Sequence, residues 1–342
     1  MDTVSRKPIS KVLLFYDGFE AKAIDAPFGR AASIARSAAR RIYRAARRRQ
    51  PYTGYYTALL NLIKSLKAQG LQVHLNDFAE ARRDPAHPIA LCGYRSVFAK
   101  VRLPNPAFAF HADFGYPDEV ETVTAGVDVK LFALGCDWSS KLYEAHLGDR
   151  IRSLFIAIDT EAWPDLSDAE KTVDYLIYDK IRWRREQREP ELLDALRDEL
   201  DRLGRSHLTL RYGHHHLDAY RQALRRSRAM IFLCEHETQG IAYQEAMSSN
   251  LPILAWDEGE LVDPKQRLFL PADARVSSVP YFDQTCGMTF TTANAREALH
   301  RFDVNRNRYN PRAYVENTLN FDAGARAFLE LYGEVGDLRN SQ

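Results

Sequence analysis

Short unbroken apolar runs alternate along this chain with longer stretches in which apolar residues recur at helical spacing. KVLLFY (11–16) reads as a buried strand, TGYYTALLNLIKSLKAQG (53–70) as an amphipathic helix stopped by Gly70, and LQVHLND as a second strand. IALCGY, AFAFHA, VKLFALG and SLFIAI read as further strands of this series. Past a break at Ile158-Asp159-Thr160-Glu161-Ala162-Trp163-Pro164 a second series begins. Its strands are VDYLIYDK, HLTLRYG, AMIFLC and PILAW, with helical spacing over 186–203, 217–227 and 240–249. Such alternation predicts parallel, doubly wound α/β sheets, and two series predict two Rossmann-like domains, 1–160 and 161–320, followed by a helical piece at 321–342.

Composition agrees with two folded domains. The chain has 342 residues, about twice the usual domain size, and 45% hydrophobic with 27% charged residues is the balance of a globular protein with a real core. No run approaches the roughly 18 apolar residues of a membrane span, and the opening MDTVSRKPIS lacks the apolar core of a signal peptide, so a cytoplasmic location is expected. Cys92, Cys136, Cys234 and Cys286 lie far apart with no C-x-x-C, which favours buried thiols over a zinc site or disulfides.

Net charge is only +1, but residues 1–160 carry 23 Lys and Arg against 16 Asp and Glu, whereas the rest carries 24 against 30. The basic excess centres on FGRAASIARSAARRIYRAARRRQ (28–50), an insertion within 18–50 that has eight Arg from Arg30 to Arg49 and no acid. Ala31, Ile34, Ala38, Ile42 and Ala45 recur at helical spacing, so the segment reads as a short basic amphipathic helix suited to an anionic membrane surface or an anionic acceptor. A solvated helix or a partly disordered insertion is the plainer alternative. Nucleic acid is not expected, because Tyr43 is the one aromatic residue interleaved with the arginines between Arg30 and Arg49 and the whole chain is not basic.

Residues 229–257, AMIFLCEHETQGIAYQEAMSSNLPILAWD, hold the most chemistry. They read as a strand, a helix started by Gln239-Gly240 and ended by Asn250-Leu251-Pro252, and a second strand. Glu237 then sits on the loop leaving the first strand and Glu245 lies just over a turn into the helix. The first helical amides between them have no internal partners and favour an anion such as a diphosphate. The plain reading is that Glu237 complements the helix dipole and Glu245 is a solvated helical position.

The run from Glu237 to Leu254, E-T-Q-G-I-A-Y-Q-E-A-M-S-S-N-L-P-I-L, resembles the signature of the retaining glycosyltransferases of family 4, Glu-x7-Glu followed by Ala-Met and a Pro-led strand. IAIDTEAWPD resembles that family's interdomain linker and YNPRAYVENTLNFDAGARAFLELYGEV its last two helices, the terminal one packing back toward the first domain. The resemblance implies the GT-B architecture, two facing Rossmann-like domains with a cleft between them. It also implies metal-independent transfer, with retention, of a sugar from a nucleoside diphosphate sugar to a hydroxyl acceptor on a glycan or lipid, with no cofactor. By the same resemblance Glu237 contacts the transferred sugar and Glu245 the ribose. Gln239, Gly240 and Ile241 border the diphosphate.

Other positions follow with less direct matches. Where the family carries Gly-Arg and then Lys-Gly, this chain has Asp179-Lys180-Ile181-Arg182-Trp183-Arg184-Arg185, so Lys180 and Arg182 are the candidate diphosphate cations. A fixed cation there stabilises the departing diphosphate more than the ground state. Strand AFAFHA delivers His111, and Asp113 just beyond it, to its C-terminal end. The imidazole is a candidate partner for the sugar, and Asp113 a candidate acceptor of the attacking hydroxyl's proton or a simple turn former. Gly54, in what remains of the family's Gly-Gly loop, would admit a phosphate or acceptor at the helix start, or is a plain loop glycine. His214-His215-His216 does not read as a metal site, since consecutive side chains diverge; the resemblance places His214 beside the nucleotide base. Two other function classes remain on the sequence: a nucleotide-sugar epimerase of the same fold, and a non-catalytic nucleotide-sugar or nucleic-acid binding protein.

Overall fold

A computed structural model describes residues 9–18, 35, 38–39, 42–43 and 54–340. The basic segment 28–50 lies almost wholly outside the described residues. Two parallel sheets form the scaffold. The first has six strands in the order β2-β1-β3-β4-β5-β6: β1 (Lys11–Asp17), β2 (Gln72–Leu75), β3 (Ile89–Gly93), β4 (Ala107–Ala112), β5 (Val129–Leu134) and β6 (Ile151–Ser153). The second has five in the order β11-β10-β9-β7-β8: β7 (Val173–Asp179), β8 (His207–Arg211), β9 (Ser227–Leu233), β10 (Ile253–Trp256) and β11 (Gly287–Phe290). The expected α/β class, with doubly wound parallel sheets, is what the chain forms.

The unbroken apolar runs follow from burial on both faces of each sheet. In β1, Val12, Leu14 and Tyr16 join one core layer while Leu13 and Phe15 join the layer on the opposite face. In β7, Leu176 and Tyr178 divide from Tyr175 and Ile177 in the same way. Helix α1 (Gly54–Ala68) covers the Val12 face with Leu59, Leu62 and Leu66. The last helix, α2 (Phe321–Asn340), shares that layer through Ala325, Phe328, Tyr332 and Val335, so the end of the chain packs on the first sheet. Tyr332 fixes it there, its hydroxyl accepting from Leu13 N at 3.1 Å and donating to the Pro88 carbonyl.

Two departures from the expected elements bear on the site. SLFIAI is not a strand: β6 ends at Ser153 and the buried residues that follow cross between the domains, Leu154 in the first sheet's core and Ile158 in the second's. The connection from β10 to β11 also crosses over. It sets Leu261 and Val276 into the core of the first domain, and Lys265 lies 3.9 Å from the Tyr116 ring centroid with Asp118 at 3.6 Å and Glu119 at 3.5 Å.

Candidate active site between the two sheets

The C-terminal ends of β7 and β9 build one wall. Lys180 N bonds Leu233 O at 2.8 Å just past the strands, and the next amides, Arg182 N and Trp183 N, both donate to Glu235 Oε1 at 2.9 and 2.8 Å. Glu235, 2% exposed, thus anchors the backbone that carries both candidate cations. Arg185 is engaged elsewhere, holding Asp179 through two hydrogen bonds of 3.0 and 2.6 Å. Lys180 Nζ pairs directly with Glu237 Oε1 and lies 4.6 Å from the ring centroid of Tyr212. Cys234 Sγ is 3.4 Å from the same Glu237 oxygen. Burial opposes the charge on Glu237, but Lys180 and Arg182 outweigh it and hold the carboxyl below its usual range; burial likewise opposes the ammonium of Lys180, and Glu237 raises it. The pair is therefore ionised. Arg182 gives one donor to His236 O at 3.1 Å, holds Nε 4.0 Å from Glu235 Oε2, and has a side chain 43% exposed at the cavity.

The opposite wall comes from β4 and β5. His111, the penultimate residue of β4, has φ +41, a left-handed conformation uncommon outside glycine. It is held there by a 2.7 Å bond from Nε2 to Leu154 O. A carbonyl only accepts, so Nε2 carries the hydrogen and Nδ1 presents a lone pair. Burial lowers its pKa to about 4, which keeps it neutral near pH 7. Asp113 is clamped by Arg95 at 3.0 and 3.2 Å and accepts from Gly115 N at 3.0 Å, a turn former in an ion pair more than a free base. Trp138 Nε1 crosses the gap to donate to Glu237 O at 3.0 Å. Gly135 lies so close to Thr238 that a Cβ there would collide with its carbonyl.

Between these walls lies a cavity of about 360 Å³. Of the residues expected at the site, Glu237, Arg182, His111 and Asp113 line it, and Lys180 stands directly behind Glu237. The others lie off the wall. Gln239 is committed: its amide accepts from Ile156 N at 3.0 Å and donates to Ile156 O at 3.2 Å and to Gln244 Oε1 at 2.8 Å, tying the domains together. Gly240, φ +75, precedes α3 (Ile241–Ser248), and a Cβ there would collide with the Tyr243 ring. Ile241 opens that helix half-buried. Glu245 is 9% exposed within it. Burial pushes its carboxyl well above the usual range, opposed by Arg221 and a hydrogen bond from Trp163. Gly54 opens α1 in the open, while its neighbour Tyr55 reaches the cavity. His214 is exposed on the turn after β8, and His215 is the buried member, 3.4 Å from the Tyr178 hydroxyl.

Sequence reasoning passed over Glu235, His236 and Trp138. His236 lines the cavity with Nε2 unpartnered, its ring 5.5 Å from that of Trp138, and burial followed by Arg182 lowers its pKa to about 4. The available signal was position alone, since Glu235 and His236 fall between the end of β9 and Glu237. Among the described residues no three His, Cys, Asp or Glu side chains gather as a metal-holding group. Arg182 lines the cavity, Lys180 lies behind Glu237 and Arg95 is taken up by Asp113. No helix among the described residues is long and apolar enough to cross a membrane.

No protein-family model matches the sequence, and no curated protein matches it. Solved structures do resemble the fold. The apo form of the lipopolysaccharide outer core galactosyltransferase WaaB superposes with a TM-score of 0.54 at 8% identity, covering 94% of this chain and 98% of that one. Sucrose-phosphate synthase from Thermosynechococcus elongatus gives 0.56 at 11%, covering 96% and 100%. At such identities the likeness is one of fold, and the fold is GT-B.

Proposed function

We propose that this chain is a retaining glycosyltransferase of the family 4 type, moving a sugar from a nucleoside diphosphate sugar to a hydroxyl of a glycan or lipid-linked acceptor. The observation that carries the reading is the set of an ionised Glu237, with Lys180 and Arg182 beside it, facing a neutral His111 across a cavity of about 360 Å³. Glu237 orients the transferred sugar and Lys180 and Arg182 neutralise the diphosphate as the glycosidic bond breaks. The amides that open α3 add to the anion site. His111 accepts a sugar hydroxyl at Nδ1, and the departing phosphate takes the acceptor's proton in a front-face attack. Glu245 takes the ribose; burial pushes its carboxyl well above the usual range, and when protonated it donates as well as accepts. Segment 28–50 presents its arginines to an anionic acceptor or membrane surface.

The test is thermal melting of the protein against a panel of nucleoside diphosphates and their sugars. A nucleotide that binds the folded state raises the melting temperature by mass action, by an amount equivalent to about 2.7 kcal/mol at a hundredfold excess over Kd. Glu245→Ala should lose most of that shift. A panel in which no nucleotide moves the melting temperature overturns the reading.

A further inference from the structure

From the pairing of Lys180 with Glu237 we infer that the two form an exchangeable ion pair: the donor's diphosphate takes Lys180 away, and only then is the Glu237 carboxylate free for the sugar. The inference rests on the donor reading above and assigns it an internal order. Three observations carry it.

First, Glu237 Oε1, the atom that would meet a sugar hydroxyl, is occupied by Lys180 Nζ and by the Cys234 thiol at 3.4 Å. Both charged side chains are largely buried, 13% exposed for Lys180 and 11% for Glu237, so neither exchanges this partner for bulk water at low cost. Second, the main chain around Lys180 is fixed while its side chain has another support. The backbone is held by Leu233 O and Glu235, whereas the ammonium also lies over the ring of Tyr212, which is 42% exposed at the end of β8. A four-carbon stem can swing on such a pivot without moving the sheet. Third, Arg182 already offers an exposed guanidinium on the cavity wall, so an arriving diphosphate has a first contact before it competes for Lys180. A diphosphate carries more negative charge than one carboxylate and accepts more hydrogen bonds, so it wins the ammonium. Lys180 is thus a positioning residue that couples diphosphate binding to the readiness of Glu237.

The test is calorimetric titration of the full chain with the nucleoside diphosphate that gives the largest thermal shift. Glu237→Gln removes the competitor for Lys180 while keeping its shape, so the diphosphate should bind roughly five- to tenfold more tightly than to the parent, as for release of a partly buried ion pair. Lys180→Met should bind it roughly tenfold more weakly, and the double variant should bind like Lys180→Met, the gain having vanished with the lysine. If Glu237→Gln binds the diphosphate no more tightly than the parent, or if the gain survives in the double variant, the exchange is wrong although the donor reading stands. If neither parent nor variants bind any nucleoside diphosphate, the donor reading itself has failed. Should Glu237→Gln not fold, Glu237→Asp serves in its place: its shorter reach loosens the pair and gives a smaller gain of the same sign, and no gain there overturns the exchange equally.

Discussion

Both walls of the cavity are made from the C-terminal ends of parallel strands, yet their polar groups are arranged in opposite ways. On the second-domain wall Lys180 and Glu237 are charged and paired with each other, and Arg182 contacts His236 O and, at 4.0 Å, Glu235, in contacts a ligand of higher charge can displace. On the first-domain wall the groups are neutral or locked: His111 is uncharged, Asp113 is held by Arg95, and Tyr143 gives its hydroxyl to Gly115 O at 2.6 Å. Under the proposed reading, the difference teaches how one crevice would serve two substrates. Exchangeable charge suits an anion that arrives and leaves, and fixed neutral acceptors suit hydroxyls, which need direction more than strength.

The strongest way to break that comparison is to remove one group from each wall. Glu237→Ala should lower kcat for sugar transfer by about 10²–10³, as loss of a group aimed at developing charge does. His111→Asn, which tolerates the left-handed backbone, should cost no more than about tenfold, the worth of one neutral hydrogen bond. Steady-state transfer assays decide it. Equal losses on the two walls would erase the distinction, and transfer by Glu237→Ala within tenfold of the parent would remove Glu237 from the chemistry.

A next, smaller effect concerns the glycine at the start of α3. Gly240→Ala places a methyl into the Tyr243 ring at a φ of +75, so it should destabilise the fold by about 2–4 kcal/mol through overpacking and strain together. Urea unfolding measures this, and a loss below about 1 kcal/mol would mean that the helix start adjusts freely.

These positions also mark what the sequence could and could not disclose. The strand runs were legible because both faces of each sheet are covered, leaving unbroken apolar stretches such as KVLLFY and AMIFLC. SLFIAI misled for the same reason: its residues are buried, but between domains and not within a sheet. Strand β11 was missed because GMTF is an edge strand with only alternate large apolar residues. Within 186–203 the helical spacing was real, although Glu189–Asp194 winds as a π-helix containing Pro190. At the site, the Glu237 loop and its nearby cations could be read from local order. The anchoring of Lys180 and Arg182 by Glu235, the clamp by Gln239 on Ile156 and the reach of Trp138 across the gap are tertiary pairings with no periodic trace.

The acid side of the pH profile sharpens the first-wall half of the comparison. His111 titrates at about 4 when folded against an ordinary 6.5, so between those values the unfolded chain binds a proton that the folded chain does not. Stability from the neutral imidazole is therefore complete above pH 6.5 and is lost as pH falls toward 4. His236 is lowered to about 4 as well and acts with the same sign. His111→Asn should flatten the loss by about 2 kcal/mol, allowing for its partial exposure, in unfolding curves taken across that range. Glu245, whose carboxyl pKa is raised by burial, acts with the opposite sign, so the difference between parent and variant is what counts: a His111→Asn profile parallel to the parent's between pH 6.5 and 4 would contradict the burial of that imidazole.

The smallest expected effect comes from the matching glycine on the first domain. Gly54 opens α1 as Gly240 precedes α3, and the sequence resemblance gives both a place beside phosphate or acceptor. Their surroundings differ: a Cβ at 54 meets nothing within 4 Å, and the residue does not line the cavity. Gly54→Ala should change stability by less than about 0.5 kcal/mol, with a slight gain from reduced freedom of the unfolded chain. It should also leave transfer unchanged, because Tyr55 is the side chain of this turn that reaches the cavity. Urea unfolding beside acceptor KM separates the outcomes. A neutral melt with a KM raised severalfold would mean that the acceptor approaches the backbone at 54, and the first wall would then extend past Tyr55.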